Sequence, residues 1–91
     1  MFTVISYDIP DDRRRIRVAK LLLDYGQRVQ YSVFEAYLEP AHLAEFYDRL
    51  RPLLNEDEDN VRVYRLCGEC RWRVEVFGQK GITEKAEFYL F

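Results

Sequence analysis

Phe2-Thr-Val-Ile-Ser-Tyr-Asp-Ile9, followed at once by Pro10-Asp-Asp-Arg-Arg-Arg-Ile-Arg17, decides the fold of this 91-residue chain. The first eight residues are mostly β-branched or aromatic and predict a strand. Apolar groups occupy both of its faces, Phe2 and Val4 on one, Ile5, Tyr7 and Ile9 on the other. A strand covered on both faces belongs at the centre of a sheet. Pro10 ends it, because proline brings no N–H to a ladder. Asp11-Asp12 then offers an N-cap and negative charge where a helix dipole is positive.

The helix that follows is expected over about 12–25, stopping at Gly26 in a left-handed C′ conformation. On a helical wheel Arg13, Arg17, Lys20 and Asp24 share a narrow polar face, while Ile16, Val18, Leu21, Leu22 and Tyr25 fill much of the rest. Arg14 and Arg15 fall inside the apolar arc, at a first turn whose dipole disfavours cations. Pairing with Asp11 and Asp12 accounts for Arg13 and Arg17 but not for these two.

Further along, Arg28 to Leu38 is too long for one strand of a small sheet. It divides into strands at about 28–31 and 33–38, meeting in a tight turn or bulge at Tyr31-Ser32. Pro40 suits the first position of a second helix, although Glu39 is a poor N-cap. Leu43, Phe46, Tyr47, Leu50, Leu53 and Leu54 give that helix a core stripe at i, i+3, i+4, i+7 spacing. Pro52 should end its last turn. Asn55-Glu-Asp-Glu-Asp-Asn60 reads as a solvated acidic loop, Val61 to Leu66 as a strand, and Cys67-Gly-Glu-Cys70 as a turn. Trp72-Arg-Val-Glu-Val76 alternates strictly and predicts another strand, with a loop at Gly78 to Gly81 and an apolar end, Phe88-Tyr-Leu-Phe91.

The order β-α-β-β-α-β is the ferredoxin-like, or split βαβ, motif of an α+β domain. At this length there is one domain. Its helices cover one sheet face, yet the strands are apolar on both and extra C-terminal strands follow. A homodimer packed sheet to sheet, with residues from about 71–91 crossing to the partner, would cover that surface.

Chemistry-bearing groups are few. No apolar run approaches membrane-spanning length and no signal-peptide pattern opens the chain, so a soluble cytoplasmic protein is expected. Cys67 and Cys70 form no disulfide framework and fit a reducing compartment. As a motif they lack the four ligands of a zinc site, since His42 is the one other candidate, and they sit between two strands rather than at a helix start. They read as incidental thiols. His42 reads as a surface residue. Asp57-x-Asp59 lacks the glycine and distal glutamate of a calcium loop and reads as solvated charge.

Net charge is −2, but its distribution is uneven. Residues 1–34 carry six Lys/Arg against four acids, 35–59 two against eight, and 60–91 six against four. A nucleic-acid surface would therefore be a local arginine patch with the acidic middle turned away. Arg13, Arg14, Arg15, Arg17 and Arg28 can grip phosphates through bidentate hydrogen bonds. Asp8, at the end of the first strand, reads either as a turn-forming cap or as a ligand. Alone it holds no Mg²⁺, but two copies could, together with waters and substrate phosphate.

Three segments together resemble a known family. They are Tyr7-Asp8-Ile9 with Pro10 to Arg17, the stretch Gly26-Gln-Arg-Val-Gln-Tyr-Ser-Val-Phe-Glu35, and Val61-Arg-Val-Tyr-Arg-Leu66. The chain resembles the small ferredoxin-like endoribonucleases of CRISPR adaptation, the dimeric partners of the spacer integrase. The resemblance covers most of the chain. It implies a homodimer whose two Asp8 carboxylates share one Mg²⁺, with Tyr7, Arg15 and Arg17 as catalytic neighbours. It also implies Arg28 and Phe34 as functional positions beside bound RNA or DNA. Metal-assisted phosphodiester cleavage is the activity implied, and a partnership with the CRISPR integrase the setting. Two alternatives stand beside it: a non-catalytic scaffold bridging integrase dimers on spacer DNA, and a toxin-like ribonuclease outside CRISPR.

Overall fold

The computed structural model describes residues 1–78. The elements are β1 (Phe2–Asp8), α1 (Asp12–Leu23), β2 (Gln27–Gln30), β3 (Val33–Tyr37), α2 (Pro40–Leu50), β4 (Asn60–Leu66) and α3 (Gly68–Trp72). A 3₁₀ turn, Arg51–Leu53, closes α2 and holds Pro52. The strands form one antiparallel sheet in the order β2-β3-β1-β4, the ferredoxin-like arrangement. β1 lies inside it, as apolar groups on both faces require.

One face carries the core. Ile5 and Tyr7 of β1 meet Phe34 and Ala36 of β3, and over them close Val18, Leu21 and Leu22 of α1 and Leu43, Phe46 and Leu50 of α2. Burying each large side chain of this set contributes about 1.5–3 kcal/mol. The other face bears no helix from α1 or α2. Ser6, Val4 and Asp8 share it with Asn60, Arg62 and Tyr64 of β4, and with Val33 and Glu35 of β3.

Local signals explain most boundaries. Asp11 caps α1, its side chain accepting the Arg14 N–H at 2.9 Å. Pro40 opens α2 after Glu39, which makes no side-chain cap bond. Gly26 differs from expectation, because among the described residues the one glycine at positive φ is Gly78. α1 ends at Leu23, and Gly26 is instead pressed onto β3. A Cβ there would stand 2.2 Å from the Glu35 carbonyl oxygen and 2.6 Å from the Ala36 Cβ. Close approach, not handedness, makes it glycine.

The β2–β3 connection turns at Tyr31-Ser32, with the register slipping between Arg28 and Gln30. Tertiary bonds stand in for a turn-forming residue. The Tyr7 N–H donates to the Ser32 carbonyl at 3.1 Å, and the Tyr7 hydroxyl to the Tyr31 carbonyl at 3.4 Å.

Two readings of the C-terminal part are corrected. Cys67-Gly-Glu-Cys70 is not a turn between strands but the start of α3, with the Cys67 sulfur capping the Cys70 N–H at 3.4 Å. Trp72 to Val76 forms no strand. Arg71 holds α3 against the sheet instead, donating to the Tyr37 hydroxyl at 2.7 Å and lying over the Phe2 and Trp72 rings. The alternation at 72, 74 and 76 therefore has no neighbouring strand among the described residues. The expected loop beyond Gly78 and the apolar end at Phe88-Phe91 lie outside the described residues. No helix among the described residues is long and apolar enough to cross a membrane.

Candidate active site

β1 ends on the open face with Asp8, whose carboxylate is exposed. The chain then passes Ile9 and Pro10 into the capped start of α1, so the strand end and the Arg13-Arg14-Arg15 run share one end of the sheet. Across the ladder, Asn60 is the register partner of Asp8, and Arg62 that of Ser6. Side chains of such pairs point to the same face. Asn60 and Arg62 therefore flank Asp8, and sequence reasoning passed over both. Alternation places Arg62 beside Tyr64 on one face of β4, but only the register with β1 reveals that the face is that of Asp8.

The arginine run does not act as one patch. Arg14 reaches across to the acidic segment, where its Nε donates to Asp59 at 2.8 Å and its Nη2 to Glu58 at 2.7 Å. The Asp59 side chain is wholly inaccessible, and it also accepts the Asn55 N–H at 2.9 Å. This corrects the reading of Asp59 as solvated charge. Bonds from Arg14 hold the Asp59 carboxyl below its ordinary value against the opposing effect of burial, and Asp59 and Glu58 hold the Arg14 guanidinium above its own. The clamp satisfies Arg14 at a helix start that would otherwise disfavour it, and it fixes the residue immediately before Asn60.

Arg15 turns back under the strand end. Its guanidinium donates to the Ile9 carbonyl at 3.0 Å and pairs with Asp12. Asp12 and, to a lesser degree, the Tyr31 phenol raise its pKa. Arg15 thus braces the bend that carries Asp8. Arg13 and Arg17 point outward and are exposed. Arg17 shares a groove of about 530 Å³ with Lys20 and Arg49 on the helical side. Of the arginines expected at phosphate, Arg13, Arg17 and Arg28 are therefore exposed, whereas Arg14 and Arg15 are engaged within the chain.

Tyr7 is buried, its hydroxyl spent on the hairpin. Phe34, expected beside nucleic acid, is fully enclosed. An enclosed ring stacks on no base, so this expectation is corrected: Phe34 supports Arg28, whose guanidinium lies 5.2 Å above its ring, and packs beside Tyr7 at 6.2 Å. The exposed aromatic at this end is Tyr31, at 77% accessibility. Its position in the hairpin turn is a sequence-level signal that could have found it.

Asp8 is an oxygen donor of the kind hard cations favour. Among the described residues no group of three or more His, Cys, Asp or Glu side chains is placed to hold a metal ion. A metal at Asp8 would therefore need ligands beyond the described residues of one protomer.

The chain is similar to known proteins over most of its length. A family model described as CRISPR associated protein Cas2 matches residues 1–74. The CRISPR-associated endoribonuclease Cas2 3 of Synechocystis sp. is 48% identical over 81 residues, covering 89% of this chain and 88% of that one. A solved hypothetical protein of Thermus thermophilus superposes with a TM-score of 0.80 at 43% identity, over 91% of this chain and 96% of that one. A chain of a solved partial Cas6-RT-Cas1–Cas2 complex matches with a TM-score of 0.72 at 26% identity, over 82% and 88%.

Proposed function

The chain belongs to the Cas2 family of CRISPR-associated proteins, and from that premise we propose that it is a homodimeric, Mg²⁺-dependent endonuclease of spacer acquisition. The observation that carries this reading is the exposed Asp8 carboxylate, set on the helix-free face of the sheet beside the arginine-bearing start of α1. Relatives named endoribonucleases, and one named endonuclease, supply the class of reaction, hydrolysis of a phosphodiester in a nucleic acid. The protein works in the cytoplasm.

A second copy packed on the open face would bring a second Asp8, and the two carboxylates would hold one Mg²⁺. The fit is chemical, since Mg²⁺ commonly takes one or two carboxylates with waters and substrate phosphate. When bound, the ion supplies Lewis-acid polarisation of a phosphoryl oxygen and lowers the pKa of water. The chain's own residues do the rest. Arg13, exposed at the start of α1, orients phosphate at the strand end. Arg17 and Arg28 present guanidinium groups to the phosphate backbone from the helical side. Arg15 and Tyr7 keep the strand end and the hairpin fixed, so that Asp8 is held in place before substrate arrives.

A second reading rests on the match to a chain within the Cas1–Cas2-containing complex. On this reading a dimer of this chain bridges the CRISPR integrase on spacer DNA and need cut nothing. One experiment separates the two. Wild type and Asp8→Asn are assayed with RNA, single-stranded and duplex DNA, in Mg²⁺ and in EDTA, and for integration with the integrase. Asp8→Asn and EDTA should each lower cleavage by about 10²-fold or more. Cleavage that survives both removes the catalytic role, and integration that survives Asp8→Asn assigns the protein's contribution there to scaffolding.

A further inference from the structure

Cys67 and Cys70 take no part in the site at Asp8. They follow β4 at its opposite end, where Leu66 is the register partner of Phe2. The sequence places the pair between strands, an arrangement with no use for a dithiol. Helical residues 68–72 change that. A single turn now carries both thiols, and both are exposed. The Cys67 sulfur accepts the Cys70 N–H at 3.4 Å.

We propose that Cys67 and Cys70 form an exchange-competent dithiol site, oxidised by low-molecular-weight disulfides of the glutathione disulfide class. The Cys67 thiolate attacks one sulfur of glutathione disulfide. The disulfide bond breaks, a mixed disulfide forms on Cys67, and the first glutathione leaves, taking a proton. The Cys70 thiol then loses its proton to water and attacks the Cys67 sulfur, expelling the second glutathione. Two protein thiols become one disulfide, and one glutathione disulfide becomes two glutathiones.

The local bonds set this order. The Cys70 N–H and the Cys70 thiol together hold the Cys67 pKa below its ordinary value, while Cys67 raises that of Cys70. The lower-pKa thiol is the attacking one at neutral pH and its partner resolves. Closure would staple the first turn of α3. The next residue, Arg71, joins that turn to Tyr37, and together they wall an apolar cavity of about 680 Å³ that also reaches Met1, Phe2 and Trp72. Oxidation thereby fixes one wall of that cavity, far from the phosphodiester chemistry.

Reduced full-length protein is exposed to glutathione disulfide and followed by intact mass. Wild type should lose two hydrogens without accumulating a glutathione adduct. Cys70→Ser should stop at one adduct, on Cys67. Cys67→Ser should react at Cys70 about tenfold more slowly at neutral pH. Both side chains are exposed, so the serine variants should keep the wild-type circular dichroism. Stable adducts at both cysteines of the wild type, or equal rates for the two variants, would overturn the proposal.

Discussion

At the Asp8 end of β1, arginines are held by carboxylates: Arg14 by Asp59 and Glu58, Arg15 by Asp12. At the Phe2 end, Arg71 is held by a phenol and lies over two rings, 5.9 Å above Phe2 and 4.6 Å above Trp72. The first arrangement is directional and local to an enclosed carboxylate, so it fixes backbone. The second leaves Trp72 and Phe77 exposed, at 79% and 91%. One strand thus joins a preorganised polar end to an adaptable apolar one. Charge pairing determines where Asp8 stands, whereas ring contacts only rest α3 on the sheet edge.

The largest test of that contrast is Asp59→Asn. Losing the charge-assisted bonds at an inaccessible carboxylate should lower stability by about 2 kcal/mol in urea unfolding. It should lower cleavage as well, because Asn60 and Asp8 sit on the backbone that the clamp fixes. The pH dependence follows from sign. The folded-state pKa of Asp59 lies below its ordinary 3.8, so its stabilisation is complete above that value and drains away as pH falls through the depressed one. Asp11, lowered first by the Arg14 N–H, behaves alike. The Asp59→Asn curve should therefore be flatter in acid than wild type. A wild-type acid slope in the variant would break the comparison.

The clamp was not legible in the sequence, and the reason is physical. Asn55 to Asn60 is a run of acids, which on composition alone is solvated. Only the return of β4 beside β1 puts Asp59 against α1, 45 positions from Arg14. A still longer separation from their β1 partners hid the faces of Asn60 and Arg62. Local signals served better. The Asp11 cap, the Pro40 start, the α2 stripe and the central place of β1 all follow from neighbouring residues, and the sheet order follows from the order of elements. Gly26 was recognised as special for the wrong reason, since crowding by the Glu35 carbonyl is a tertiary fact. The alternation at Trp72 to Val76 misled because period alone names a strand without supplying its neighbour. Of the site, Asp8 and the arginines were visible as residue types, but which arginines stay outward depends on which acids fold back onto them.

A smaller effect is expected from Tyr31→Ala. Its ring is the exposed aromatic at the polar end, and its phenol lies by Arg15. Stacking of one base is worth about 1–3 kcal/mol by alanine substitution, so Kd for single-stranded substrate should rise about tenfold. Duplex offers no unstacked base, and its binding should change little. Tyr31→Phe should bind single strands as wild type does. If Tyr31→Ala weakens duplex and single strand alike, the ring contributes shape rather than stacking.

Arg71→Ala addresses the apolar end and should have the smallest effect. It removes one phenol hydrogen bond and the ring contacts of an incompletely buried guanidinium, about 1 kcal/mol together. Tyr37→Phe removes the hydrogen bond alone and should cost less than Arg71→Ala, because the rings stay covered. Arg71→Lys should not restore the loss, since an ammonium lacks the planar face that stacks. Cleavage should be unaltered in all three, measured beside Asp59→Asn under the same conditions. A loss of cleavage in Arg71→Ala as large as in Asp59→Asn would mean that the two ends of β1 are coupled through the strand, and the division drawn between them would fall.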